Sequence, residues 1–318
     1  MTTEAEAVPR ARSGSRPWLE RAAVRWGLLA VVFAWGAYQA LWNILAANPN
    51  ADEPEYVAVG RDYVAGDVAL NHEQPPTAKY LFGAVQLLFG DGPVAPRILV
   101  GVLTILGGVI VFLWLRPELG WVPALVPTAF WLLLPRGVDT TFEFRLDRFA
   151  VLEPVMVFFA IGAMAAAWQW HRGRSIWWLV VAGAGMGLSA TSKPTTAVIL
   201  PAFLVLIVAR RRLRPILLGL IVPAVAAAAT VFLVYRPIGL RTGIADLLAF
   251  QVAQNASGHL IDLAGFATGH PRGGRTSTSP GRDSVPSPPW CWSRAPSPPA
   301  STASIASWSS TWASPSQR

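Results

Sequence analysis

Along the first 235 residues, apolar stretches of bilayer-crossing length alternate with short arginine clusters and one long polar loop. The pattern predicts spans over 24–47, 94–115, 121–135, 149–170, 176–192, 195–209 and 215–235, the third and sixth being short. The first stretch follows Arg10, Arg12, Arg16, Arg21 and Arg25, as in a secretory leader. It is longer than a leader's apolar segment and carries Trp35, Tyr38 and Trp42, so it reads as a retained span. A cytoplasmic N-terminus places Arg116, the segment His171-Arg-Gly-Arg174 and the segment Arg210-Arg-Arg-Leu-Arg214 inside, as the positive-inside rule requires. The expected fold class is all-α, a polytopic membrane helix bundle. Its parts are a cytoplasmic tail (1–23), a membrane domain (24–235) whose first outer loop is 48–93, an extracytoplasmic segment (236–270) and a tail (271–318).

With this sidedness the acidic residues separate. Asp52, Glu53, Glu55, Asp62, Asp67, Glu73, Asp91, Asp139, Glu143, Asp147, Glu153, Asp246 and Asp262 fall outside or at the outer edge, while Glu4, Glu6, Glu20 and Glu118 lie inside. Within the first loop, Tyr56, Val59, Gly60 and Tyr63 form one helical stripe, predicting a surface-lying helix with aromatic anchors. Pro75-Pro76 then opens a second helix over 77–89, too short to span.

Composition agrees: 53% of residues are hydrophobic, mean hydropathy is +0.41 and 14% are charged, against about 25% in soluble domains. The net charge of +8 sits at span ends, so no nucleic-acid partner is expected. Lys79 and Lys193 are the only lysines among 26 basic residues; with abundant Ala, Gly and Pro this points to a high-GC bacterial genome. Cys291 alone excludes a disulfide framework or cysteine metal cluster, and His72, His171, His259 and His270 have no metal spacing. Beyond residue 270 the chain turns rich in Ser, Pro, Thr and Arg, the composition of disorder. Read one base out of frame, Trp290-Cys291-Trp292 and its flanks encode apolar residues, so 271–318 is expected to be a frame-shifted tail.

Three segments can carry chemistry. Asp52-Glu-Pro-Glu-Tyr56 directly follows the first span, and either caps the next helix in a capping box or presents catalytic carboxylates. In Asn71-His-Glu-Gln-Pro-Pro-Thr-Ala-Lys-Tyr80, a proline-initiated helix with interfacial anchors accounts for Pro75, Lys79 and Tyr80 but not for His72-Glu73. Arg145-Leu-Asp-Arg-Phe-Ala-Val-Leu-Glu153 puts Glu153 in an apolar run, where it needs Arg148 or Lys193 as a partner. Gly183-Ala-Gly-Met-Gly187 lies inside a span with no strand before it and reads as helix packing, not a dinucleotide loop.

An acidic pair after the first span, Pro75-Pro-Thr-Ala-Lys-Tyr80 and Ala95-Pro-Arg97 resemble the polyprenyl-phosphate-sugar-dependent glycosyltransferases of the GT-C superfamily. Within that superfamily they resemble specifically the bacterial relatives of protein O-mannosyltransferases and of the aminoarabinose lipid A transferase. Arg148-Phe-Ala-Val-Leu-Glu153 is similar to the family's Arg-x-x-x-Leu-acid segment, and Gly187-Leu-Ser-Ala-Thr-Ser-Lys193 to its Gly-Leu-x-x-x-x-Lys stretch. The departures are His72-Glu-Gln-Pro-Pro76 in place of His-Pro-Pro or Lys-Pro-Pro, a glutamate at 153 where aspartate is commoner, and the absence of the family's later spans.

The resemblance implies a GT-C-like fold and inverting sugar transfer from a polyprenyl-phosphate-linked donor to a protein, lipid or glycan acceptor on the extracytoplasmic side of the bilayer. It implies Asp52 as general base and Glu53 as its supporting acid, with no metal and no cofactor. It also implies a substrate- and lipid-phosphate-binding set of Arg61, His72, Lys79, Arg148, Glu153 and Lys193, of which Lys79, Arg148 and Lys193 neutralise the departing phosphate. The alternatives are a transporter using Glu153 and Lys193 along an ion path, or an inactive truncated product.

Overall fold

A computed structural model describes residues 21–45, 52–133, 148–210, 212–257, 260–263 and 266–269. The expectations for the N-terminal tail, for Arg145 and Asp147, for His259, His270 and Cys291 and for the frame-shifted tail lie outside these residues.

The described chain is helical up to residue 257: α1 (Ala22–Leu41), α2 (Glu53–Ala65), α3 (Thr77–Phe89), α4 (Val94–Leu119), α5 (Trp121–Leu133), α6 (Leu152–His171), α7 (Trp177–Ala190), α8 (Leu200–Val208), α9 (Leu213–Tyr235) and α10 (Leu240–Ser257). A 3-10 turn, Pro194–Ile199, leads into α8. Of these, α1, α4, α6 and α9 are long and apolar enough to cross a membrane, and α5, α7 and the Pro194–Val208 segment are shorter apolar helices. The fold is an all-α, multi-pass membrane bundle.

Helix boundaries differ from the apolar runs where local stereochemistry intervenes. The first run extends to residue 47, but α1 stops at Leu41, where Trp42 turns to extended backbone and Asn43 follows with a left-handed φ of 49°, which Asn tolerates better than most residues. By contrast, α4 continues through Pro117 to Leu119 and ends at Gly120, φ 89°. The polar segment after α9 forms the 18-residue α10, which its weak apolar pattern does not announce. After it, Leu260–Leu263 pairs antiparallel with Phe266–Gly269, Leu260 opposite Gly269, in a hairpin that belongs to a separate compact unit.

Within the helical unit, glycines set the closest approaches. A Cβ on Gly83 of α3 would lie 2.0 Å from the Gly60 carbonyl oxygen of α2, so these two helices meet backbone to backbone. On α7, Gly183 and Gly187 fit against Pro223 and Thr230 of α9, while Gly185 faces Ala163 of α6. The stripe Tyr56, Val59, Gly60 and Tyr63 is buried, but its partner is protein: Tyr56 joins a core with Ala78, Phe82, Val100, Ala150 and Val155. The aromatic side chains expected as membrane anchors are used to dock α2 on α3, α4 and α6.

Candidate active site

The acidic pair after α1 splits into two roles. Glu53 is 1% exposed, and its carboxylate accepts from Arg97 Nε at 2.8 Å, Arg97 Nη2 at 2.6 Å and the Ala150 N–H at 2.8 Å. Arg97, 2% exposed, also donates from Nη1 to the Ile44 carbonyl at 2.7 Å. One ion pair thus ties the end of α1, the start of α2, the start of α4 and the segment entering α6. A bidentate guanidinium–carboxylate pair suits this task because its geometry is directional. The Glu53 carboxylate is thus surrounded by protein donors.

Its neighbour Asp52 is exposed. It immediately precedes α2 in a helical conformation and makes no side-chain cap hydrogen bond, so the capping box is not formed. Tyr56, one turn on, donates its hydroxyl toward Asp52 Oδ2 at 3.5 Å. Burial pushes the Tyr56 phenol up, and the carboxylates of Asp52, Glu153 and Glu55 push it further. The phenol therefore stays protonated beside Asp52, with the Glu153 end of α6 in the same electrostatic neighbourhood.

Glu153 lies in the first turn of α6, at the edge of the bundle and not in mid-span. Lys193 Nζ donates to its Oε1, and both side chains remain about one-third exposed (33% and 30%). Lys193 is positioned by buried hydroxyls on either side of it. Thr191 and Thr77 share a 2.6 Å hydroxyl contact, the Thr77 N–H donates to the Thr191 carbonyl at 2.9 Å, and Ser189 bonds the Met156 carbonyl at 2.8 Å and Thr196 at 2.6 Å. Arg148 donates from Nη2 to the Trp42 carbonyl, bringing the end of α1 to the same edge.

The other basic candidates are placed differently. Lys79 is 0% exposed; Nζ donates to the Asn71 carbonyl at 2.5 Å, Asn71 Oδ1 at 2.8 Å and the Gln74 carbonyl at 2.8 Å, over the Tyr63 ring. Its three protons are consumed by the 71–74 turn, in which Asn71 has a φ of 56°. Burial lowers the Lys79 ammonium to about 7, with Glu73 and Glu55 opposing the shift. His72 Nδ1 lies 3.3 Å from Asp246 of α10, and its Nε2 faces the Val68 carbonyl. Arg61 pairs with Asp91 at 2.9 Å in an exposed ion pair, and it lines a groove formed by α2, Gln86 of α3 and the Gly92-Pro93 turn.

Asp52, Tyr56, Glu153 and Lys193 are thus brought into one region, with Arg148 on the adjoining α1 end. Lys79, His72 and Arg61 serve the first loop and its contact with α10. Sequence reasoning missed the Arg97–Glu53 and Asp246–His72 partnerships, whose members lie 44 and 174 positions apart. The Ser/Thr run from Ser189 to Thr196 was the visible sign that the segment around Lys193 is polar and cross-linked. Among the described residues, no group of histidine, cysteine and carboxylate side chains is arranged to hold a metal ion.

A search of curated proteins gives no match. Among solved structures, the chain is similar to ArnT from Cupriavidus metallidurans bound to undecaprenyl phosphate, with a TM-score of 0.50 and 21% identity over 67% of this chain and 42% of that one. It spans less than half of that protein's length, and the likeness is one of fold, that of a GT-C membrane bundle. The profile of the dolichyl-phosphate-mannose-protein mannosyltransferase family matches residues 73–240, more than half of the chain, beginning after Asp52, Glu53 and Arg61 and including Lys79, Arg148, Glu153 and Lys193. The chain belongs to that family.

Proposed function

We propose that this protein is a bacterial membrane glycosyltransferase moving a sugar from a polyprenyl-phosphate carrier to an acceptor hydroxyl, with Asp52 as general base. The observation that carries the reading is the exposed Asp52 carboxylate beside a protonated phenol, in one region with the Glu153–Lys193 pair. Family membership and the fold shared with ArnT, crystallised with undecaprenyl phosphate, support the donor class. Arginines at the ends of α4, α6 and α8 are consistent with a cytoplasmic N-terminus and an extracytoplasmic site.

In the reaction, Asp52 takes the acceptor's proton as its oxygen bonds to the anomeric carbon. The bond from that carbon to the carrier phosphate breaks on the opposite face, inverting the centre. The phosphate leaves with a gain of negative charge, which Lys193 and Arg148 stabilise at headgroup depth. Tyr56 orients the base, and Glu153 holds Lys193. The Glu53–Arg97 pair sets the height of Asp52 above the bundle. Lys79 contributes by shaping the 71–74 turn, and its enclosed ammonium is not assigned to the phosphate.

The test is transfer from a polyprenyl-phosphate sugar, measured in membranes containing Asp52→Asn at wild-type abundance. Loss of the base lowers the rate about 10²–10⁴-fold, with the product anomer inverted relative to the donor. Undiminished transfer by the variant, or a retained anomeric configuration, sinks the assignment.

A further inference from the structure

The end of the bundle away from Asp52 carries a second polar cluster. Along α6, Glu153 and Arg172 are separated by nearly the whole 20-residue helix, about 30 Å at 1.5 Å per residue. At that far end, α6 and α8 lock together through Arg210. Its guanidinium lies over the Trp170 ring at 5.1 Å, and Nη2 donates to the Trp170 carbonyl at 2.9 Å. His171 Nδ1 contacts the Leu206 carbonyl at 2.9 Å, and Gly219 of α9 closes on Trp170 and Ile207. The Arg210 Nε is buried and has no hydrogen-bond partner among the described residues. Arg212 and Arg214, two and four positions after it in the chain, are exposed, as is Arg174, four positions after Trp170. Glu118 is the neighbouring carboxylate, and it is already engaged by Arg172 at 3.0 Å and by Trp168 Nε1 at 2.9 Å.

A groove of about 210 Å³ opens between α8 and α9 one turn from Arg210, lined by Phe203, Leu204, Ile207, Gly219, Leu220 and Pro223. Its near end is set by Ile207 and Gly219, the residues that meet at Trp170. Basic residues thus stand where an apolar furrow begins, at one end of the bundle. A free phosphate would leave the furrow empty, and an uncharged lipid would leave the guanidinium donors unanswered.

We propose that this end of α6, α8 and α9 holds an anionic glycerophospholipid, its phosphate on Arg210, Arg212 and Arg214 and an acyl chain in the α8–α9 groove. The site is separate from the sugar-transfer region and independent of the function assigned there.

The full chain, purified in detergent, is titrated with phosphatidylglycerol and with phosphatidylcholine and read by native mass spectrometry. Wild-type retains phosphatidylglycerol at least tenfold better. Arg212→Gln/Arg214→Gln, both at exposed positions, loses that preference while eluting as wild-type on size exclusion. Leu204→Trp, which fills the groove, weakens retention of both lipids. Equal retention of the two lipids by wild-type, or full preference in the double arginine variant, overturns the proposal. Displacement of phosphatidylglycerol by equimolar undecaprenyl phosphate, with the loss of displacement in the double variant, reassigns the site to the carrier and overturns it equally.

Discussion

Replacing Glu53 by glutamine removes one charge and almost no volume. In the native protein its carboxylate receives three hydrogen bonds, and the partner guanidinium is as deeply buried as the carboxylate. If the amide oxygen keeps Arg97 Nε and the Ala150 N–H, its NH2 group faces Arg97 Nη2 across the former 2.6 Å bond, donor against donor. A guanidinium then stays buried without a counter-charge, which costs about 3–5 kcal/mol. Arg97→Met strands the carboxylate and costs a similar amount, besides freeing the Ile44 carbonyl. Combining the two removes both charges, so the double variant should cost about 2–3 kcal/mol less than the sum of the singles. The assay is a double-mutant cycle on unfolding in mixed micelles, followed by far-UV circular dichroism. Additivity within about 0.5 kcal/mol refutes the clamp, as does a Glu53→Gln cost below about 1 kcal/mol, the scale of an exposed pair. Transfer activity separates the roles further. A clamp variant loses activity and stability together, whereas a catalytic acid would lose activity alone.

Gly83→Ala should lower the melting temperature, because the new Cβ meets the Gly60 carbonyl; about 1–3 kcal/mol of overpacking outweighs the ~1 kcal/mol helix-propensity gain. A rise in melting temperature would show that α2 and α3 can separate freely. Lys79 makes stability pH-dependent. Its folded pKa of about 7 lies below its ordinary value of 10.5, so between those values the unfolded chain binds more protons and stability increases with pH. Melting temperature should climb from pH 7 to 9 in wild-type and stay flatter in Lys79→Met; parallel profiles would remove Lys79 as the cause.

How much of this was legible in the sequence depends on distance along the chain. The membrane-crossing helices rest on contiguous apolarity and could be read directly, as could the glycine packing of α7. The 149–170 run and α6 agree closely because both of its ends are polar. Glu153's need for a cation followed from its place in an apolar run, but the pairing with Lys193 came from a fold that brings residues 40 positions apart together. For Asp52 and Glu55, local rules described a capping box that does not form, while Glu53 between them turns into the core, where Arg97 meets it. Lys79 looked like an interfacial cation because nothing local shows that the 71–74 turn folds over it. Helix α10 was missed for another reason: its sequence has no clear apolar face.

The three glycines of α7 bear on which changes the gene can survive. On one side of this helix α9 comes so near that Gly183 and Gly187 admit no methyl group, and on another Gly185 faces α6 closely. A helix that carries none of the candidate catalytic side chains is therefore among the least permissive stretches of the protein. In a random-mutagenesis library scored for stable membrane expression, its interior should be nearly as depleted of variants as the catalytic edge is in a library scored for transfer.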